Sequence, residues 1–283
     1  MSIVAGCDVG SLTSKAVIMK NRKIIGSHII KSKPRPGESA NTVLEGALLS
    51  AGVAKEEIQY CIGTGYGREK IEFVDEVVSE IRCHGKGARW MLPTAEIVID
   101  IGGQDCKTMK LDKDGNVSRF SANDKCASGT GRFLEVMARV LNVDIEELGR
   151  LSAKARDPIT LASTCTVWAQ ADVIKYLNSG VPIEDIGAGI NSAMASRVAI
   201  LVNTIKPEGD IFMTGGVAKN IGVVETLEKL VGRRIKKTRR ADPQMAGAIG
   251  AALLSLEKIN GSEKPESMNT DFTSQPSVQE RSS

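Results

Sequence analysis

Aromatic residues and histidine are scarce in this chain of 283 residues. Aromatic side chains make up 4% of it, and the only two histidines are His28 and His84. So few rings argue against a base-stacking platform for single-stranded nucleic acid. A cysteine nucleophile would have to use His84 with Cys126 or Cys165, and nothing in the spacing of these residues favours such a pair.

An excess of charge of one sign and long apolar runs are also lacking. The 37 basic residues are nearly balanced by 34 acidic ones, which leaves a formal net charge of +3 and argues against nucleic acid or a membrane surface as a partner. The one basic run, Val231 to Arg240, has no interleaved aromatic residues and is typical of a solvated face. No apolar run approaches the ~20 residues of a membrane span, and no signal segment precedes the first strand pattern. We therefore expect a cytoplasmic protein whose six cysteines are not paired in disulfides.

One short motif occurs twice. The stretches "DVGSLTSK" (Asp8 to Lys15) and "DIGGQDCK" (Asp100 to Lys107) share an aspartate, an apolar residue, a glycine and a lysine seven residues after the aspartate. Each stretch follows an apolar strand pattern and leads into a second strand. The sequence therefore indicates an internal duplication of a strand, turn and strand unit.

These turns have the residue types of a phosphate site. Small residues let backbone N–H groups approach a phosphate, hydroxyl groups add donors and a lysine supplies positive charge. The candidate phosphate contacts are Ser11, Leu12, Thr13, Ser14, Lys15, Gly102 and Gly103. Asp8 and Asp100 are the candidates for a Mg²⁺ shell, and Gln104 or Asp105 for orienting the attacking water. Leu12 interrupts the small residues, which puts a direct contact there in doubt.

A third glycine turn follows a later strand, in "MTGGVAKN". Its pair Gly215 and Gly216, together with Gln244, is suited to border a nucleoside. A P-loop motif and a convincing dinucleotide fingerprint are both missing, and any one of the three turns alone would be an ordinary hairpin. Two copies of one turn and the late glycine pair favour a nucleotide clamp between two related lobes.

The lobes and helices can be placed along the chain. We predict a first lobe over residues 1–92, a second over 93–260, a helix from Glu69 to Ile81, and a disordered tail over 261–283 that is rich in Ser, Pro, Glu and Gln. A last helix is predicted from about Asp242 to Ile259. One arrangement consistent with the sequence has this helix packed against the first lobe. Its glycines, Gly247 and Gly250, fit close helix packing or an inter-lobe hinge equally well.

Cys126, in "DKCASGTGRFLEVMARVL", and Cys165, in "STCTVWAQADVI", each stand where a helix is predicted to begin. The positive end of a helix lowers the pKa of a thiol and favours the thiolate. Two thiolates are half the ligand set of a [4Fe–4S] cluster. The residues also allow a zinc site or two core cysteines. The lack of a C-x-x-C motif or a nearby histidine disfavours zinc.

The other four cysteines have simpler interpretations. Cys7 and Cys61 lie in apolar strand patterns and are predicted to be core residues. Cys106 holds the place of Ser14 in the second turn, where a small residue suffices. Cys83 and His84 form a pair whose role is left open between packing, metal binding and contact with a partner.

The duplicated turn and the T-G-G turn resemble those of the actin, sugar kinase and Hsp70 ATPase superfamily. More narrowly, "IDIGGQDCK", "NDKCASGTGRFLEVMA", "STCTVWAQADVI" and "MTGGVAKN" resemble the activator ATPases of 2-hydroxyacyl-CoA dehydratases and the ATPase subunits of benzoyl-CoA reductases. The resemblance covers about Ile3 to Leu256. It implies an α/β fold of two duplicated ribonuclease-H-like lobes, with ATP or ADP and Mg²⁺ in the cleft between them.

The resemblance also implies a role in electron transfer. Cys126 and Cys165 match the family's ligands to one [4Fe–4S] cluster that two protomers share, in a homodimer or in a pair with a related ATPase subunit. Such an activator takes an electron from ferredoxin or flavodoxin and passes it, with ATP hydrolysis, to an iron–sulfur reductase or dehydratase component that acts on a CoA thioester. The rival hypotheses are a sugar- or acetate-type kinase of the same superfamily and a nucleotide-gated regulatory protein without electron chemistry.

Overall fold

A computed structural model of the chain describes residues 2–123, 126–162 and 165–261. The predicted disordered tail lies outside the described residues apart from Gly261, and the short polar stretches ahead of Cys126 and Cys165 lie partly outside them. Within the described ranges, no helix is both long enough and apolar enough to cross a bilayer.

Two five-stranded sheets form the framework. The first sheet has the strand order β3-β2-β1-β4-β5 and the second has the order β10-β9-β6-β7-β8. The strands of the first sheet are β1 (Ile3–Val9), β2 (Thr13–Lys20), β3 (Lys23–Lys31), β4 (Tyr60–Thr64) and β5 (Glu76–Val77). Those of the second are β6 (Ala95–Ile101), β7 (Cys106–Leu111), β8 (Val117–Asn123), β9 (Asp210–Thr214) and β10 (Ile235–Lys236). In each sheet three strands that follow one another along the chain are antiparallel, and the first of them also pairs in parallel with a later strand.

The strand register confirms the internal duplication that the sequence indicates. In the first sheet Asp8 pairs with Lys15, and in the second Asp100 pairs with Lys107. Each turn therefore has its aspartate at the end of one strand and its lysine directly opposite on the next. The shared motif is a shared three-dimensional unit.

Eight α-helices are found among the described residues. They are α1 (Pro36–Ala51), α2 (Glu80–Met91), α3 (Gly131–Leu141), α4 (Ile145–Leu151), α5 (Thr166–Asn178), α6 (Ile183–Thr204), α7 (Ile221–Val231) and α8 (Ala246–Ile259). Helix α1 packs on the first sheet, while helices α3 to α7 share a hydrophobic core with the second sheet.

Helices α2 and α8 join the two sheets. One buried apolar cluster contains side chains from both sheets and from both helices: Val4, Val17, Val98, Met109, Ala88, Ala248 and Ile249. Helix α8 packs on the first sheet, where Ser255 Oγ donates a 2.9 Å hydrogen bond to the carbonyl oxygen of Ala5. The last helix of the chain thus returns to the strand with which the chain begins.

The helix predicted from Glu69 to Ile81 is wrong. The structure has a short 3₁₀ turn at Arg68–Lys70, then strand β5, and α2 begins only at Glu80. The backbone N–H and C=O of residues in this segment bond to β4: Asp75 N–H donates to Cys61 C=O at 2.9 Å, and Val78 N–H donates to Gly63 C=O at 2.9 Å. Pairing with a distant strand satisfies these backbone groups, and so the local helical pattern does not decide the conformation.

Helices α2 and α8 cross in backbone contact because each has a glycine at the crossing. A Cβ built on Gly87 would overlap the carbonyl oxygen of Ala246, and one built on Gly250 would overlap the carbonyl oxygen of Cys83. Gly250 therefore serves the close packing that was one of its two predicted roles.

We expect Gly250→Ala to destabilise the protein by about 1–3 kcal/mol, because the added methyl group must push two packed helix backbones apart. Urea unfolding followed by circular dichroism would measure the change. Gly37→Ala is the matched control: it adds the same group in α1, where only the Lys70 carbonyl oxygen comes within 4 Å, at 3.2 Å. Equal unfolding midpoints for the two variants would contradict the close-packing interpretation.

Candidate functional site

The first duplicated turn has a buried ion pair between the two strands that it connects. Gly10 N–H donates to the Thr13 carbonyl oxygen at 3.1 Å and closes the turn. Lys15 Nζ lies 3.3 Å from Asp8 Oδ2 and 3.2 Å from the Thr13 carbonyl oxygen. Asp8 and Lys15 are both buried. A lysine and a carboxylate are thus fixed at the carboxyl end of β1, and they supply the two charges predicted for a phosphate and Mg²⁺ site.

The second turn repeats this arrangement with more acidic groups. Gly102 N–H donates to the Asp105 carbonyl oxygen at 3.0 Å, as Gly10 does to Thr13. Lys107 Nζ contacts Asp105 Oδ2 and lies 2.8 Å from Glu80 Oε1. Burial lowers the pKa of Lys107, but Asp100, Glu80 and Asp105 outweigh burial and raise that pKa above its usual value. The lysine therefore carries its charge.

Asp100 is the most heavily contacted carboxylate of the site. Thr214 Oγ1 donates to its Oδ1 at 2.7 Å, and His84 Nδ1 lies 3.2 Å from the same oxygen. Burial acts to raise the pKa of Asp100, but His84 and Lys107 hold it well below its usual range. Burial lowers the pKa of His84, whereas Asp100 and then Asp8 raise it, and the net shift is upward. The carboxylate is therefore ionised at neutral pH.

The two turns contact each other directly. A Cβ on Gly103 would overlap the Leu12 side chain, so the leucine of the first turn packs on the glycine of the second. Leu12, whose phosphate contact the sequence left in doubt, thus has a packing role across the cleft. Asp8 is also approached by glycines from other elements: a Cβ on Gly247 would lie 2.6 Å from its Oδ2.

The third turn also has the predicted neighbours. Gly215 has φ +82° and lies so close to Ile101 that a Cβ would overlap the Ile101 carbonyl oxygen. A Cβ on Gly216 would lie 3.2 Å from Gln244 Nε2, and Gln244 Oε1 accepts a 2.7 Å hydrogen bond from Lys219. The structure therefore brings together Gly215, Gly216 and Gln244, the group predicted to border a nucleoside.

Ser14 differs from its prediction. It is fully buried in β2, and its hydroxyl group lies 2.9 Å from the Ser32 hydroxyl group. This position argues against a direct phosphate contact by Ser14, and its counterpart Cys106 is buried in the same way. Ser11 and Thr13 are half-exposed, and they remain the hydroxyl candidates of this turn.

Gln104 and Asp105 are the two candidates for orienting water. Gln104 is exposed at the tip of the second turn, whereas Asp105 is half-buried and bonded to Lys107. Burial raises the pKa of Asp105, and Lys107 offsets part of this effect. The choice between the two residues stays a prediction.

Three groups at the site were missed from the sequence. Lys107 could have been added because it matches Lys15 in the duplication. Glu80 and His84 come from α2, one turn of helix apart, and reach the second turn from outside both copies of the motif. No spacing in the sequence connects that helix with the glycine turns.

The second turn is hydrogen-bonded to the beginning of α3. Gly131 N–H donates to the Gly102 carbonyl oxygen at 2.8 Å, and Arg132 N–H donates to the Gly103 carbonyl oxygen at 2.9 Å. The first N–H groups of a helix have no partner within the helix, and here the glycine turn supplies the acceptors. The segment after Cys126 thus ends on the candidate phosphate turn.

Cys126 lies a few residues before its helix instead of at the first turn. The helix that follows Cys126 begins at Gly131, with Thr130 as its N-cap. Cys126 Sγ is 3.0 Å from Ser128 Oγ. Hydrogen bonds from Ser128 lower the pKa of Cys126, burial opposes this effect, and Arg197 of α6 adds to the lowering. Local hydrogen bonding, more than a helix terminus, favours the thiolate here.

Cys165 is the N-cap of α5 and is exposed, which confirms the helix predicted after it. Helix α5 packs on α3, the helix that follows Cys126. The four remaining cysteines, Cys7, Cys61, Cys83 and Cys106, are buried, as predicted for the first two. Burial raises the pKa of Cys83 to about 12, and its carbonyl lies at the α2–α8 crossing. In the parts of the chain that the structure describes, no three side chains of the metal-binding types His, Cys, Asp and Glu converge on one point.

Relatives of known role match nearly the whole chain. It is 41% identical over 263 residues to the 2-hydroxyisocaproyl-CoA dehydratase activator of Clostridioides difficile, covering 92% of this chain and 97% of the relative. It is 42% identical over 258 residues to the (R)-2-hydroxyglutaryl-CoA dehydratase activating ATPase of Acidaminococcus fermentans, covering 89% and 96%.

A solved structure of a relative has the same fold as this chain. The Clostridium difficile activator of 2-hydroxyisocaproyl-CoA dehydratase, solved with bound ADPNP, superposes with a TM-score of 0.87 at 40% identity and covers 94% of this chain and 100% of that one. The two sheets are therefore the lobes of an actin/Hsp70-type ATPase fold, as the resemblance implied. The model of the BadF/BadG/BcrA/BcrD ATPase family matches residues 5–255. The chain belongs to this ATPase family.

Proposed function

We propose that the protein is an ATP-hydrolysing activator that passes low-potential electrons to an iron–sulfur enzyme acting on a CoA thioester. The observation that carries the proposal is the pair of hydrogen bonds between the second turn and α3, because they connect the candidate phosphate site to the segment that holds Cys126. The names of the relatives favour a 2-hydroxyacyl-CoA dehydratase as the enzyme activated; a benzoyl-CoA reductase is the other partner in the family's range.

The nucleotide lies between the two duplicated turns in this proposal. Backbone N–H groups and the side chains of Ser11, Thr13 and Lys15 hold phosphates from one side, and Gly102 and Gly103 from the other. Asp8 and Asp100 hold Mg²⁺ directly or through water, since carboxylate oxygens are its preferred protein ligands. Gln104 or Asp105 orients the attacking water. Gly215, Gly216 and Gln244 border the nucleoside.

Closure on ATP then acts on the cysteine segment. The contact between Leu12 and Gly103 transmits movement of one lobe to the second turn, and the carbonyl groups of that turn move the start of α3. A free-energy difference of about 5.5 kcal/mol takes a two-state equilibrium from 1:99 to 99:1, which corresponds to about 0.24 V for one electron. The reorientation of the helix need supply only a free energy of this order.

The donor set fits one [4Fe–4S] cluster shared by two protomers. Each chain offers two accessible cysteines next to packed helices, and a two-fold axis doubles this number to the four thiolates that such a cluster takes. When bound, the cluster would accept and release one electron. Ser128 and Arg197 of this chain stabilise the thiolate of Cys126, and Asn123 Nδ2 holds the Cys126 carbonyl oxygen at 3.3 Å. The second protomer is an identical chain or a related ATPase subunit, and ferredoxin or flavodoxin supplies the electron.

We expect Lys15→Met to lower kcat/KM for ATP hydrolysis by about 10- to 100-fold, since charge-assisted hydrogen bonds to phosphate contribute about 1.5–3 kcal/mol. Release of inorganic phosphate under anaerobic conditions measures this effect. Lys23→Met is the control, because Lys23 is exposed at the start of β3. Transfer of phosphate from ATP to a sugar or to acetate would instead support a kinase and contradict the activator role.

We expect the anaerobically purified protein to be a brown dimer that contains iron and sulfide, and Cys126→Ser or Cys165→Ser to lose the iron. Metal analysis and an electron paramagnetic resonance spectrum after reduction provide the measurement. Cys106→Ser is the matched control, because serine already holds the same place in the first turn, at Ser14. Iron-free wild-type protein, or full iron content in both ligand variants, would refute the shared cluster.

A further inference from the structure

His84 has an imidazole that is 12% exposed, with a buried Nδ1, and none of the roles proposed above uses it. It lies on α2, outside both copies of the duplicated turn, and its Nδ1 makes no regular hydrogen bond within the described residues. We propose that His84 is a positioning residue, which holds the Asp100 carboxylate in the orientation that the nucleotide-bound Mg²⁺ requires. This inference rests on the proposed nucleotide site, and it extends that site to a residue of α2.

The contact with Asp100 is specific to one oxygen. His84 Nδ1 lies 3.2 Å from Asp100 Oδ1, which also accepts the 2.7 Å hydrogen bond from Thr214 Oγ1. Because both contacts involve Oδ1, they restrain the rotation of the carboxylate and leave Oδ2 available to another partner. Carboxylates that bind metal are commonly held by such outer partners. Hydrogen bonds at a site of this kind are often long or poorly aligned without ligand and tighten in the complex, and the 3.2 Å contact of His84 is consistent with this behaviour.

The opposite end of the ring lies close to the first turn. A Cβ on Gly247 would come within 2.9 Å of His84 Nε2 and within 2.6 Å of Asp8 Oδ2. The ring nitrogen and the Asp8 carboxylate therefore border the same small space, which only a glycine leaves open. The imidazole thus lies between Asp8 and Asp100, the equivalent carboxylates of the two duplicated turns.

The neighbouring residue has a different role. Cys83 is fully buried, and its carbonyl group packs on Gly250 at the helix crossing. Packing is therefore a sufficient explanation for Cys83. Packing alone would not require a polar side chain at position 84. The two carboxylates that the ring approaches, those of Asp8 and Asp100, explain why a polar ring is present at this position.

The test compares Mg²⁺ dependence in His84→Ala, His84→Gln and wild-type protein, by Mg²⁺ titration of ATP hydrolysis and by calorimetry of Mg²⁺–ADP binding. We expect the half-saturating Mg²⁺ concentration to rise about 10- to 100-fold in His84→Ala, with partial recovery in His84→Gln, which keeps an N–H donor. His28→Gln is the control, because the other histidine is exposed on β3. Melting temperatures of all variants are measured in parallel.

A merely structural role predicts a lower melting temperature with wild-type Mg²⁺ dependence, and that result would overturn the inference. If His84→Ala does not fold, Thr214→Val removes the other donor to Asp100 Oδ1, and an unchanged Mg²⁺ requirement there would also overturn it. Wild-type protein that binds no Mg²⁺–ADP would refute both the nucleotide site and this role. Normal Mg²⁺–ATP turnover without electron transfer would refute the activator function alone and leave the His84 result valid.

Discussion

Two main-chain hydrogen bonds connect the parts of this protein that have different chemistry. The carbonyl groups of Gly102 and Gly103 accept from the first N–H groups of α3, so the candidate phosphate turn also ends the segment that follows Cys126. A change in the turn cannot leave the helix start unaffected, because the unpaired N–H groups would then need other acceptors. In the proposed function the side chains on either side provide nucleotide binding and redox chemistry, whereas the connection between them is made by the backbone.

The hydrogen bonds between the second turn and α3 can respond to the first turn only if the two lobes are held in a defined relative position. Helices α2 and α8 provide that relation, since their glycines let them cross in backbone contact between the sheets. The same crossing brings Gly247 beside Asp8 and His84 beside Asp100. Tight packing and the geometry of the acidic groups therefore depend on the same helix pair, and loosening the crossing would disturb both.

The sequence predicted the parts of the structure that repeat or that follow local rules. Asp8 and Lys15 could be aligned with Asp100 and Lys107, and the strand register agrees with that alignment. The helix predicted over Glu69 to Ile81 failed because pairing with β4 decides that segment. His84 could not be assigned because its partner lies on another element, and the phosphate role of Ser14 loses support because strand alternation turns its hydroxyl group toward Ser32. Long-range contacts, which no local pattern contains, account for each of these differences.

The two copies of the turn have diverged in a way that suits different tasks. Within the described residues, the acidic partner of Lys15 in the first copy is Asp8 alone, whereas Lys107 in the second is held by Asp105 and Glu80 and is influenced by Asp100. A lysine restrained by several carboxylates moves only when the carboxylates move with it, so the second turn responds as a unit. It is also the turn that α3 is attached to. The more constrained copy is therefore the one that is hydrogen-bonded to the start of α3, the helix that follows Cys126, whereas fewer contacts within the described residues restrain the first copy.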